Sequence, residues 1–183
     1  MFSHTSQPCK FDRDCAVVMI PSGDELTMPA GSVGYITQSL GGSFTVFIDG
    51  NLFRVAGVDA DAIGKEPVMP PALPEDASDD DVEKLVWSQM KTCYDPEIPV
   101  NIVDLGLVYS CELNKNPQGQ REVSITMTLT APGCGMGDII VEDVRSKIQI
   151  IPTVHKVDVD LTFEPPWNYQ MMTEAARLET GML

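Results

Sequence analysis

The chain has 183 residues, 43% of them hydrophobic, and a mean hydropathy of -0.02, so it can build a core and is not disordered as a whole. Its 27 acidic and 12 basic residues leave a formal charge of -15, which repels phosphate and excludes nucleic acid and anionic membrane as partners. No apolar run approaches the roughly 18 residues that span a bilayer, and the first ten residues lack the apolar stretch of a signal peptide, so a cytoplasmic location with reduced thiols is expected.

Residues 1–14 are polar and are expected to stay loose. Short β-prone runs follow at 33–36, 44–48 and 52–55. Leu40-Gly-Gly-Ser43 and Asp49-Gly50 lie between them as turns, which predicts a small, curled antiparallel sheet. Asp59-Ala-Asp-Ala-Ile-Gly64 has the length of one helical turn with a glycine stop. Residues 66–79 hold Pro67, Pro70, Pro71 and Pro74 and run into Asp79-Asp-Asp81, with no apolar period. That composition marks an extended linker. The chain divides accordingly into a β-rich extension (1–65), the linker (66–79) and a second domain (80–183).

In the second domain, Val82, Leu85, Val86 and Met90 share one side of a helix that Asp79 or Asp80 can cap. A strand is expected at 105–112 and another at 123–130, joined as a hairpin by the polar turn at 114–119. In the second strand Val123, Ile125, Met127 and Leu129 face a core, and Ser124, Thr126, Thr128 and Thr130 form a hydroxyl-bearing outer face. Ile140, Val144 and Ile148 make the stripe of an amphipathic helix that Pro152 stops. Val157, Val159, Leu161 and Phe163 alternate as a third strand, and 171–178 is a short last helix. The order α-β-β-α-β-α predicts an α+β fold, a two-layer sandwich with helices on one face of a small sheet.

The chemistry centres on Cys134, in Leu129-Thr-Ala-Pro-Gly-Cys-Gly-Met-Gly-Asp138. A thiol at a strand-to-helix turn faces the positive end of a helix dipole, which favours the thiolate that binds soft metals or attacks electrophiles. The competing reading is a small buried residue in a tight turn. Asp138 favours the helix start but opposes a nearby thiolate. Asp95-Pro-Glu97 reads as a cap turn, with polar support or an oxygen ligand as the alternative. Asp104 accepts hydrogen bonds from the cysteine loop or caps a turn of its own. Trp167 covers the cysteine or packs on the sheet, and Met171 and Met172 offer adaptable surface or fill the core. Cys9 and Cys15 are weak metal candidates in the tail, and Cys93 and Cys111 have positions that fit burial. No P-loop, dinucleotide fingerprint or Ser/His/Asp arrangement occurs, so no enzymatic role is expected.

Four motifs stand in order: Asp95-Pro-Glu97, Asp104-Leu-Gly-Leu107, Leu129-Thr-Ala-Pro-Gly-Cys134, and Pro165-Pro-Trp167 with Met171-Met-Thr-Glu-Ala-Ala-Arg177. Over residues 80–180 the chain resembles the PaaD-like family of metal–sulfur (iron–sulfur) cluster assembly factors. Ile20-Pro-Ser-Gly23, Gln38-Ser-Leu-Gly-Gly42 and Asp59-Ala-Asp-Ala-Ile-Gly64 are similar to the extension of its SufT branch. The resemblance implies an accessory factor that helps transfer clusters to apo-proteins, working with scaffold and carrier proteins and apo-clients. It places the family's cysteine on Cys134 and its acidic and threonine positions on Asp95, Glu97, Asp104 and Thr130. Thr173 departs from the serine of many members and keeps the hydroxyl. The implied cargo is a labile iron–sulfur cluster, shared with a partner or across a homodimer, because one thiolate cannot fill a coordination shell that usually takes four. Two rival classes are a non-metal adaptor docking carrier and client, and a thiol-based redox protein.

Overall fold

The computed structural model describes residues 6–40, 42–69, 71–95, 97–133 and 135–182. The chain forms two compact units, Met1–Pro70 and Pro71–Leu183.

The first unit is a six-stranded antiparallel sheet of β1 (Gln7–Lys10), β2 (Cys15–Ile20), β3 (Glu25–Met28), β4 (Val33–Leu40), β5 (Ser43–Ile48) and β6 (Asn51–Val55), in the order β1-β4-β5-β6-β2-β3. Register puts Ile36, Val46 and Phe53 side by side, and these residues join Phe11, Val17 and Val55 in one core. The expected strands and antiparallel sheet are present, and Gly57–Ile63 forms a 3₁₀ helix closed by left-handed Gly64. The loose tail is corrected: Gln7–Lys10 pair with β4, and Phe11 is fully buried with its N–H on Ser32 O at 2.8 Å. Gln-Pro-Cys-Lys carries no β signal of its own. Its proline suits only an edge strand, and long-range pairing supplies its structure.

The second unit contains α1 (Asp79–Met90), β7 (Val108–Lys115), β8 (Arg121–Met127), α2 (Gly137–Gln149), β9 (Val154–Leu161) and α3 (Glu174–Thr180). Its sheet order is β7-β8-β9, with β7–β8 antiparallel and β8–β9 parallel. A parallel pair needs a crossover, and α2 is that crossover. Val82, Val86 and Met90 of α1 and Ile140, Val144 and Ile148 of α2 share a core with Val123, Ile125, Met127, Val157 and Val159 of the sheet. This is the α+β two-layer sandwich read from the sequence. Three details differ. Ser78, not Asp79 or Asp80, caps α1, in a reciprocal box with Asp81. Residues 105–107 are turn rather than strand: Leu105, Gly106 and Leu107 N–H reach back to Asn101, Val103 and Ile102 carbonyls, and Gly106 sits at φ 73°. The last helix starts at Glu174 behind a Thr173 cap, because Tyr169–Met171 turn as 3₁₀.

The stretch read as a linker is divided between the units. Val68 N–H returns to Gly57 O at 2.9 Å, whereas Leu73 packs on the second core and Ala77 O accepts from Arg121 Nη2 at 2.8 Å.

Candidate functional site

The loop after β8 leads from the C-terminal end of the central strand into α2. Sheets with crossover helices place ligand sites at such strand ends. Leu129 is buried and lies so close to Gly137 that a Cβ there would come within 2.9 Å of Leu129 Cδ1, so the two ends of the loop meet. Between them Ala131, Pro132, Gly133 and Gly135 are exposed, Thr130 and Met136 are half-buried, and Gly133 adopts φ 78°. Cys134 and Pro96 fall outside the described residues. Met136 precedes α2 without a side-chain cap, and exposed Asp138 stands in the first turn. The first turn of a helix presents N–H groups and a partial positive charge, a setting that suits an anionic sulfur.

Asp95 is 4% exposed, and its Oδ1 accepts from the N–H groups of Glu97 (2.9 Å) and Ile98 (2.8 Å). It therefore caps a local turn, although no helix follows. Glu97 itself is exposed. Asp104 belongs to a second turn. Asn101 Oδ1 accepts from the N–H groups of Val103 (3.1 Å) and Asp104 (2.9 Å), while Asn101 Nδ2 donates to Asp104 Oδ2 at 2.6 Å. Among the described residues no three His, Cys, Asp or Glu side chains gather as a metal cage.

A ladder of backbone bonds links this second turn to the cysteine loop and to the C-terminal segment. Thr128 N–H donates to Leu107 O at 2.8 Å, and Thr173 N–H donates to Asp104 O at 2.9 Å. Trp167 Nε1 donates to Leu105 O at 2.7 Å, and Tyr109 Oη donates to Pro165 O. At Gly106 a Cβ would lie 2.2 Å from Met171 O, so only glycine admits this approach. The turn holding Asp104, the root of the loop and the segment from Pro165 to Thr173 are thus one connected structure. Trp167 packs against the core rather than standing free, and Met172 is buried in that core.

Two residues escaped the sequence reading. Asn101 was not singled out, although Asn followed by Asp three residues later is a turn signal. Thr128 was placed on a solvated hydroxyl face; the structure corrects this, because its side chain is fully buried. The strand ends at Met127, three residues earlier than the expected 130.

Burial disfavours the thiolate at three of the other cysteines. Burial pushes Cys111 up to about 11, helped by Glu83 and Glu112. Burial also raises Cys9 and Cys15, the latter with help from Asp59. Cys93 is buried.

A family model described as iron-sulfur cluster assembly protein matches residues 83–161, all within the second unit. A Porphyromonas gingivalis protein named Fe-S protein maturation auxiliary factor is 48% identical over 101 residues, which is 55% of this chain and 92% of that protein. The Staphylococcus aureus Fe-S protein maturation auxiliary factor SufT is 36% identical over 88 residues, 48% of this chain and 96% of its own length. The Bacillus subtilis Fe-S protein maturation auxiliary factor YitW is 33% identical over 97 residues, covering 53% and 91%. This chain belongs to the iron–sulfur cluster assembly protein family, as its motifs anticipated.

Proposed function

We propose that the protein is an accessory factor in iron–sulfur cluster assembly that helps pass clusters to apo-proteins through Cys134. The observation that carries the reading is family membership over the unit whose central strand ends in the Cys134 loop. The exposed glycines on either side of Cys134 support access by a partner, and the uncapped start of α2 supports an anionic sulfur. The cluster is cargo. A single thiolate leaves its coordination open, so the remaining ligands come from a carrier, a client or a second copy of the chain, and an open site suits handover over storage. Scaffold or carrier proteins and apo-clients are the partners, in the cytoplasm. The role assigns the chain no catalytic step. Among the described residues no helix is long and apolar enough to cross a membrane.

Anaerobic reconstitution of wild type and Cys134→Ser with iron and sulfide tests this, with iron, sulfide, visible absorption and native mass read per chain. A cluster in wild type that disappears in the mutant is the expected result, and the mass tells whether two chains share it. No cluster in either protein, together with undiminished client maturation by Cys134→Ser, would leave docking of carrier and client as the role.

A further inference from the structure

The two edges of the six-stranded sheet are built differently. At one edge β1 carries Pro8, which has no N–H to offer, and Lys10, a charge that resists further pairing. At the other edge β3 pairs, among the described residues, with β2 alone, and its Glu25, Leu26 and Thr27 are exposed. This strand holds neither proline nor lysine. Asp24 O accepts from Met19 N–H at 2.8 Å, and in an antiparallel ladder bonded pairs alternate with non-bonded ones. Leu26 and Met28 therefore bond to Val17 and Cys15, whereas the N–H and C=O of Glu25 and Thr27 point away from the sheet. Among the described residues neither Glu25 nor Thr27 makes a backbone bond outside the strands. The core side is open at this edge as well. Register puts Leu26 beside Val17, and Val17 beside Val55. Val17 and Val55 are 2% and 0% exposed, but Leu26 is 42% exposed, so the apolar row runs out onto the free edge.

We propose that β3 is a docking edge for an extended, basic segment of a partner protein, which joins the sheet as an added strand. In strand addition the main-chain bonds give affinity and the alternating side chains give specificity. The bonds fall on Glu25 and Thr27. On the core side an apolar residue of the segment covers Leu26 and completes its row. On the opposite side the segment meets Glu25, with Asp24 just before it. Between Arg13 and Arg54 the sequence holds no lysine or arginine, and beyond the far end of β3 Asp14 Oδ1 accepts from Ala30 N–H at 2.8 Å. The edge is thus acidic at both ends. Opposite charges across a strand pair attract and like charges repel, so this edge selects lysine or arginine on the incoming strand and disfavours a second copy of itself.

The test uses the full chain and two capped hexapeptides, one alternating lysine with valine and one alternating glutamate with valine. Amide exchange at Glu25 and Thr27 is followed with and without each peptide, and affinity is measured by titration. The expected result is fast exchange in the free protein, slowed about 10-fold by the lysine peptide and left unchanged by the glutamate peptide. Thr27→Pro removes one outward N–H at a position where an edge strand tolerates proline, so it is expected to keep its Tm and to bind the lysine peptide about 10-fold more weakly. Glu25→Lys leaves the backbone intact and is expected to weaken binding about 3-fold, which keeps the test decisive if Thr27→Pro unfolds. Slow exchange at both amides in the free protein would mean that the edge is already covered and would overturn the proposal, with native mass showing whether a second copy covers it. No slowing by the lysine peptide, equal slowing by both peptides, or full binding by both variants would overturn it too.

Discussion

Single residues decide how the site is strapped together, and Gly106 is the sharpest case. Its φ of 73° and the 2.2 Å approach of Met171 O to an ideal Cβ exclude any side chain. Gly106→Ala adds a left-handed penalty of about 1–2 kcal/mol and also forces Met171 away. A loss of roughly 2–4 kcal/mol in urea-induced unfolding is expected, with a change in tryptophan emission as the Trp167 bond to Leu105 O loosens. An unaltered midpoint would show that the 165–173 segment is not held as described. The same scale explains why Asp95 reads as structure: its carboxylate is occupied by two backbone donors of its own turn.

At the scale of elements, the start of α1 is tied to the β7–β8 hairpin by charge. Asp79 accepts from Lys115 Nζ and Arg121 Nε, both at 2.8 Å, and these bonds hold its carboxyl below the usual carboxylate range, Lys115 first and Arg121 second. A lowered folded pKa gives stability that is present above the unfolded value, about 3.9, and is lost as pH falls through the folded one. Asp79→Asn is therefore expected to reduce stability at neutral pH and to flatten the fall in stability below about pH 4, as read by denaturant midpoints across pH. Identical acid profiles would remove the pair from any stabilising role. Elements with a strong local period were legible in the sequence: α2 through Ile140, Val144 and Ile148, and β8 through Val123, Ile125 and Met127. Elements that depend on distant partners were not. β1 exists because β4 offers an edge, and the strand expected at 105 begins at Val108 because Asn101 and Gly106 bend the chain first. The site was legible as a set of motifs, but the backbone ladder joining Thr128, Leu107, Leu105 and Asp104 has no sequence signal, since carbonyl acceptors are the same in every residue.

Taken whole, the molecule is built as two units. Each unit has a core of its own, and the family match lies in the second. The net charge of -15 favours basic surfaces on partners and weakens such encounters as salt rises. Within the second unit β8 is the middle strand, bonded to β7 on one side and β9 on the other. Amides in that position trade protons for deuterons only when the entire unit opens, whereas those of an exposed loop trade them freely. In deuterated water the amides of Val123, Ile125 and Met127 are expected to be among the last to exchange, and those of Ala131, Gly133 and Gly135 among the first. Slow loop amides that speed up together with β8 would mean that the two open as one. Separate rates would mean that the exposed loop can move many times over while the sheet it springs from stays closed.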